Sequence, residues 1–352
     1  MTRAWKVVTV FASFHCFGEI IAMKSKAKPT AKQVAHEIGM SVSAVSRAFT
    51  PGASLDEDKK RRILEAAAQL GYVSPARRTA EAVAADTVTL VAGDLSNPFY
   101  PMVLDRLAQQ LQKSGRRLLV YALPDQERVD AITPQILTAR PSALVVTSAR
   151  LTSNMADACR RQGIKVVLLN RIQRDLLINA VACDNYRGGR DAALHLIARG
   201  RRRIAFIEGI ANTSTHVERQ RGFNDMLGEA GVALHASVRG AFDYRIAHAA
   251  AAGLLAGPSA PDAVFCCNDI MALATIDAAK AGGLRVPDDV AIVGFDDIPM
   301  AAWDSYRLTT IRQPIERMVE ETIQLLDDMK GTPESEGTMR ILPGELIERA
   351  TT

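Results

Sequence analysis

"TAKQVAHEIGMSVSAVSRAF", residues 30–49, decides how the first part of this 352-residue chain is read. Thr30 followed three residues later by Gln33 matches a capping box, in which each side chain satisfies the other residue's backbone N–H at a helix start. Val34, Ala35 and Ile38 then share one face, and Gly39 stops the helix. Ser41 caps a second helix whose inward residues are Val45, Ala48 and Phe49. Two helices joined by a tight turn at Gly39-Met40-Ser41 make a helix-turn-helix pattern. Val42, Ser43, Ser46 and Arg47 are not needed by the core and face outward. The second helix of such a unit lies in a DNA major groove with its first residues toward base edges. There Arg47 can bond a guanine edge or a phosphate, Ser43 can donate or accept, and Val42 can meet a thymine methyl.

The surroundings support a polyanion partner. "TPGAS" (50–54) reads as a loop, and Ser54 or Asp56 caps a third helix with Ile63, Leu64, Ala67 and Leu70 on one face, ended by Gly71. The formal net charge of the chain is only +4, but residues 24–79 carry +6, residues 1–23 carry +1 and the remainder is −3. A compact basic segment on a mildly acidic body is an electrostatic footprint for nucleic acid.

The chain begins with an apolar stretch, "VVTVFASFHCFGEIIAM" (7–23), behind Arg3 and Lys6. It is short for a membrane span, and no small-x-small cleavage site follows. Met23 opens "MKSKAKPT", which reads like a natural start. Residues 1–27 are therefore expected to be an extension, with residues 1–22 arising from a misplaced start codon. A native chain that retains Trp5 on N-terminal sequencing contradicts this. Cys16, Cys159, Cys183, Cys266 and Cys267 show no metal-like spacing and fit free thiols in a reducing, cytoplasmic compartment.

After an alanine-rich linker opened by Pro75, short β-type runs alternate with amphipathic helices. The runs are "TVTLVA" (87–92), "RLLVYA" (117–122), "ALVVT" (143–147), "KVVLL" (165–169), "RIAFIE" (203–208), "AVFCC" (263–267) and "VAIVGF" (290–295). Helical segments are expected near 98–113, 126–138, 154–162, 185–198, 215–230, 244–256 and 269–281. Apolar strands alternating with helices imply an α/β body of parallel sheets covered on both faces. Two such sets, roughly 87–185 and 186–350, predict two doubly wound lobes with a ligand between them at the carboxyl ends of the strands.

Further stretches accompany the opening one: "ILEAAAQLGY" (63–72), "DLSNPFY" (94–100), "RQRGF" (219–223), "PDAVFCCNDIMA" (261–272) and "RVPDDVAIVGFDD" (285–297). In this order and spacing the set resembles the lac repressor/galactose repressor family of bacterial transcription regulators, from residue 28 to about 350. The resemblance implies a helix-turn-helix headpiece at 28–73, a hinge linker at 74–86 and an effector-binding and dimerisation body at 87–350. The body would be two-lobed and like a periplasmic binding protein of type I.

Residue by residue, the resemblance implies that Val42, Ser43 and Arg47 face bases and that Ser41, Ser46 and Thr50 face phosphates. Ala44 stands where threonine is usual and Thr50 where asparagine is usual, and the cap of the third helix falls at Asp56 after a loop two residues longer than many members have. The family's linker folds on DNA and inserts a leucine into the minor groove. Here "SPARRTAEAVAAD" (74–86) has Glu81 or Val83 near that place, while Arg77 and Arg78 suit phosphates. Valine is a poor wedge and glutamate repels phosphate, so weaker minor-groove contact is expected.

For the effector the resemblance points to the interlobe cleft. Asn97 and Phe99 would come from the first strand-to-helix loop. Arg219 would hold anionic or hydroxyl oxygens. Asn268 or Asp269, with Asp296, would accept hydroxyl protons, and Phe242 or Tyr244 would stack on a sugar face. Asp184 and Asn185 also sit at a strand end, where a helix-cap role competes. The expected function is a sequence-specific DNA-binding regulator, by family default a repressor, switched by a sugar, sugar acid or related metabolite. Its partners would be a palindromic duplex operator, the effector and a second copy of the chain, with no membrane, cofactor or metal. The rival reading is a secreted solute-binding protein, against which the intervening headpiece argues. An enzyme is disfavoured because no G-x-G-x-x-G, P-loop, G-x-S-x-G elbow or metal-spaced His/Cys cluster occurs.

Overall fold

The computed structural model describes residues 29–50, 52–79, 86–93, 95–123, 131–147, 151–173, 178–329 and 337–352. The N-terminal extension with Cys16, the linker positions Glu81 and Val83, and the first part of the helix expected at 126–138 lie outside these residues. The chain divides into two compact units, residues 1–80 and 81–352.

The first unit holds α1 (Ala31–Glu37), α2 (Val42–Ala48) and α3 (Glu57–Leu70). Both arms of the capping box form: the Thr30 hydroxyl accepts from Gln33 N, and the Gln33 side chain accepts from Thr30 N at 2.7 Å. Gly39 takes the left-handed conformation that the sharp turn needs, with φ 65°. The Ser41 hydroxyl accepts from Ala44 N at 3.2 Å and starts α2. Of the two candidate caps of α3, Asp56 is the one used, accepting from Lys59 N. Val34, Ala35, Val45, Ala48, Ile63, Ala66, Ala67 and Tyr72 form the core, with Tyr72 edge-on to Phe49. Leu64, expected inside, is 40% exposed. The buried stripe of α3 runs Ile63, Ala66, Ala67, and one step along a helix turns Leu64 about 100° away from it. Residues 75–79 form a further helical turn, in which the buried Ser74 hydroxyl accepts from Arg77 N at 3.2 Å.

The second unit contains two six-stranded sheets. The first combines β1 (Thr87–Ala92), β2 (Arg117–Ala122), β3 (Ala143–Val146), β4 (Lys165–Leu169), β5 (Asn179–Cys183) and β11 (Met339–Leu342), in the order β11-β5-β4-β3-β1-β2. Every pairing in it is parallel. Its helices are α4 (Phe99–Lys113), α5 (Thr133–Ala139), α6 (Ser153–Arg161) and α11 (Ile315–Asp328). The second sheet combines β6 (Ile204–Glu208), β7 (Ala236–Arg239), β8 (Ala263–Cys266), β9 (Ala291–Asp296), β10 (Thr309–Arg312) and β12 (Glu345–Ile347), in the order β12-β10-β9-β8-β6-β7. Only β12 runs antiparallel to its neighbour. Its helices are α7 (Asn185–Ala198), α8 (Ser214–Glu229), α9 (Tyr244–Leu255) and α10 (Asp269–Ala281).

Both faces of this second sheet are covered, as β9 shows. A Cβ on Gly294 would meet the Asp269 side chain of α10, whereas the Phe295 ring lies against Gly188 of α7. Successive strand residues point to opposite faces, so α10 and α7 lie on different sides.

The lobes are not the contiguous halves expected from sequence. Helix α11 and strand β11 return to the first lobe, where β11 pairs with β5 from Met339↔Ala180 to Leu342↔Cys183. Strand β12 then returns to the second lobe beside β10. The chain therefore passes between lobes at 183–185, 312–315 and 342–345. The pairing joins residues more than 150 positions apart, which local periodicity does not report.

Candidate functional site

In the first unit, Ser41, Val42, Ser43, Ser46, Arg47 and Thr50 are all exposed, while Val45 and Ala48 between them are buried. The cap sets this arrangement, because it fixes where α2 begins and hence which residues turn outward. Val42 is 43% exposed and presents an apolar tip on this face. The hydroxyls of Ser41 and Ser43 lie 3.0 Å apart, and Thr50 Oγ1 donates to Ser46 O. Arg47 Nε reaches back to Ser43 O at 3.5 Å, and Arg47 has no ion pair among the described residues. Arg77 and Arg78 are exposed on the turn at 75–79. The outward face thus combines a cation, hydroxyls and an apolar tip, the set that base edges and phosphates require.

In the second unit, Asn97, Phe99, Arg219, Phe242, Asn268 and Asp296 come together around one small cavity of about 20 Å³, joined by Tyr100, Asn170 and Thr215. Arg219 is its centre. The side chain is almost fully buried on α8 and makes three hydrogen bonds: Nε to Asn185 Oδ1 at 2.8 Å, Nη1 to the Cys267 carbonyl at 2.6 Å, and Nη2 to Asp296 Oδ1 at 3.3 Å. The guanidinium carbon Cζ lies 3.6 Å from the centroid of the Phe295 ring, a cation–π contact.

Asp296 ends β9 with φ 125° and also accepts from Gln313 Nε2 at 2.7 Å. Burial pushes its carboxyl above the usual carboxylate range, opposed by the charge of Arg219. Phe242 follows Ala241 with both residues at positive φ, a strained pair for residues other than glycine. Its ring lies where a Cβ on Gly209 would be, 2.2 Å from the nearest ring atom, which is why position 209 carries no side chain. Asn97 Oδ1 accepts from Phe99 N at 3.2 Å and shapes the loop before α4. Asn268 Oδ1 caps α10 on Met271 N, which leaves Nδ2 buried without a hydrogen-bond partner among the described residues. Asn170 Oδ1 is likewise buried and without one.

Two expected placements need correction. Asp269 does not line the cavity. Its Oδ2 accepts from Ile298 N at 2.8 Å and its Oδ1 from the Thr310 hydroxyl, so it pins α10 to β10 and to the turn after β9. Burial, and then the charge of Asp296, push its carboxyl up. Tyr244 opens α9 at the surface and donates to Asp277 at 2.6 Å, leaving Phe242 as the aromatic wall. Asp184 is the N-cap of α7, accepting from Arg187 N. Tyr100, Asn170 and Thr215 line the cavity but were not singled out as site residues by the sequence. A strand-end position, as for Asn170 after β4, is the one signal that pointed to it.

A larger chamber of about 660 Å³ lies beside the small one. Arg171, Asn185, Thr213 and Ser214 line it, each adjacent or bonded to a residue of the small cavity. Its polar side chains are mostly engaged: Gln173 with both backbone groups of Leu151, Arg221 with Glu218, and Asp184 with the start of α7. The buried amide atoms without partners make the smaller cavity the better candidate for recognition. The thiols take no part. Cys266 and Cys267 are wholly buried, and burial pushes both up to about 12. No described helix is long and apolar enough to cross a membrane.

Comparison with known proteins agrees with this architecture. The family model for a periplasmic binding protein-like domain matches residues 193–352. The probable transcriptional repressor ExuR of Bacillus subtilis is 29% identical, over 87% of this chain and 93% of its own length. The transcriptional regulator GalS of Salmonella typhimurium is 30% identical, over 89% and 94%. The solved complex of the transcriptional regulator CelR with cellobiose superposes with a TM-score of 0.69 at 27% identity, covering 92% of this chain and all of that one. These relatives are regulators that match along nearly the whole chain, which favours a regulator over a solute receptor or an enzyme. The chain belongs to the lac repressor/galactose repressor family of bacterial transcription regulators.

Proposed function

We propose that the protein is a cytoplasmic repressor that binds a palindromic operator as a homodimer and is switched by a sugar, sugar acid or related metabolite held between its lobes. Residues 28–73 read the operator, residues 74–86 link, and residues 87–350 sense and dimerise. Ser41, Val42, Ser43, Ser46, Arg47, Thr50, Arg77 and Arg78 form the DNA-facing set. Asn97, Phe99, Arg219, Phe242, Asn268 and Asp296 form the effector set. The observation that carries the reading is the convergence of these six residues, from five separate segments of the chain, on one buried cavity. That CelR is solved with cellobiose supports a carbohydrate effector.

The switch follows from linkage. A space of about 20 Å³ is smaller than a sugar ring, so an occupant requires the walls to part. A ligand that prefers one lobe arrangement shifts the population toward it. A coupling of about 1–3 kcal/mol then changes operator affinity about 5–150-fold. The test is a gel shift of the full chain on a palindromic duplex, with and without sugars that raise its melting temperature. A stabilising sugar that leaves operator affinity unchanged overturns the switch, and salt-insensitive binding overturns the headpiece assignment.

A further inference from the structure

The effector set as read above leaves open whether the guest is charged. Within that reading, we infer that the cavity selects a neutral polyhydroxylated guest and rejects sugar acids and sugar phosphates. Three observations converge on this.

First, Arg219 is already occupied. Three of its five N–H groups serve Asn185, the Cys267 carbonyl and Asp296, and one face is covered by Phe295. A carboxylate or phosphate guest cannot take the fork of this guanidinium without evicting Asp296.

Second, the charge is already balanced: Asp296 neutralises Arg219 at the cavity wall. Among the described residues, no other Lys or Arg lines the cavity. An anionic guest would be a buried charge without a counter-ion, which is far more costly than a hydrogen-bonded neutral group.

Third, the buried polar atoms without partners ask for hydroxyls. Asn170 Oδ1 is an acceptor and requires a donor, while Asn268 Nδ2 is a donor and requires an acceptor. Both residues are at least 97% buried. Gln313 Oε1, behind Asp296, is a further buried acceptor without a partner among the described residues. A hydroxyl group both donates and accepts, whereas ionised carboxylate and phosphate oxygens only accept. Asp296 enforces the selection, because it holds Arg219 neutralised.

The experiment is isothermal titration of the full chain with matched sets: D-galactose, D-galacturonate and galactose 6-phosphate; D-glucose, D-glucuronate and glucose 6-phosphate; D-ribose and ribose 5-phosphate. At least one neutral sugar is expected to bind, with its acid and phosphate counterparts at least tenfold weaker. Asp296→Asn, which releases the charge of Arg219, is expected to narrow or reverse that gap. The comparison on the unmodified protein decides the matter even if this variant does not fold. An acid or phosphate that binds as tightly as its neutral parent overturns the charge selection while leaving a sugar effector intact. If no member of any set binds, the carbohydrate effector falls and the selection falls with it.

Discussion

Arg219 and Asp296 form an ion pair at 3.3 Å in which both side chains are at least 95% buried, one reaching from the middle of helix α8 and the other from the end of strand β9. Removing one partner of such a pair leaves a buried charge without compensation, at a cost of roughly 3–5 kcal/mol. Arg219→Ala is therefore expected to lower stability by about that amount in urea unfolding and to abolish the thermal shift by any sugar that binds the parent. A variant that keeps its stability and its sugar response removes Arg219 from the site.

The pair of buried carboxyls sets a pH dependence. Asp269 and Asp296 both have carboxyls raised above the usual carboxylate range, chiefly by burial. Between the unfolded and the folded value, the folded chain holds protons that the unfolded chain has released. Stability from these groups is then greatest at the acid end of that window and falls as pH rises, by up to about 1.4 kcal/mol per pH unit for each proton. Unfolding free energies at about pH 5 and about pH 8 should show the fall, and Asp269→Asn should flatten it. An unchanged slope in that variant refutes the assignment.

Helices α7 and α8 approach so closely that glycine is required at their contact. A Cβ on Gly189 would lie 2.2 Å from the Arg219 carbonyl oxygen, and one on Gly222 would lie 1.9 Å from that of Tyr186. Both obstacles are backbone, so the helices must separate and carry Arg219 with them. Gly189→Ala and Gly222→Ala are each expected to cost about 1–3 kcal/mol and to weaken sugar binding. Gly228→Ala, exposed on the same α8 with open space around it, should instead stabilise by about 0.5–1 kcal/mol. Equal effects at the three positions would show that packing is not the cause.

On DNA, Arg47→Ala is expected to weaken operator binding by roughly 1–3 kcal/mol and to relax sequence preference, the loss typical of a base-edge contact. Arg77→Ala and Arg78→Ala should weaken all sequences alike and lower the salt slope by about one each. Gel shifts across a salt series separate the two behaviours, and a loss for Arg47→Ala that is equal on operator and random duplex assigns it to phosphate.

The family resemblance implies Glu81 or Val83 near the place of a wedge leucine, and on that reading the operator should be bent only modestly. A circular-permutation bending assay that reports a sharp central kink contradicts this.

What the sequence disclosed follows from how local each signal is. The capping box at Thr30, the Ser41 cap and the turn glycine act within four residues, and α1 and α2 form where their pattern predicts. Strands such as β1 and β2 are short apolar runs and are equally plain. The return of α11 and β11 to the first lobe depends on pairing with β5, which no window of sequence contains. At the cavity, Arg219 and Asp296 were legible only through the family resemblance carried by "RQRGF" and "RVPDDVAIVGFDD". Asn268 and Asp269 are chain neighbours, and only the direction in which α10 starts decides that the amide faces the cavity while the carboxyl turns toward Thr310.

Strands β11 and β12 are separated by two residues yet edge different sheets. The last stretch of the chain thus acts as a buckle fastened to both lobes at once. Neither lobe is a contiguous piece that could be cut out and produced alone, and a chain stopped before residue 339 would lose an edge from each. Both lobes therefore depend on residues after 312 for their completion.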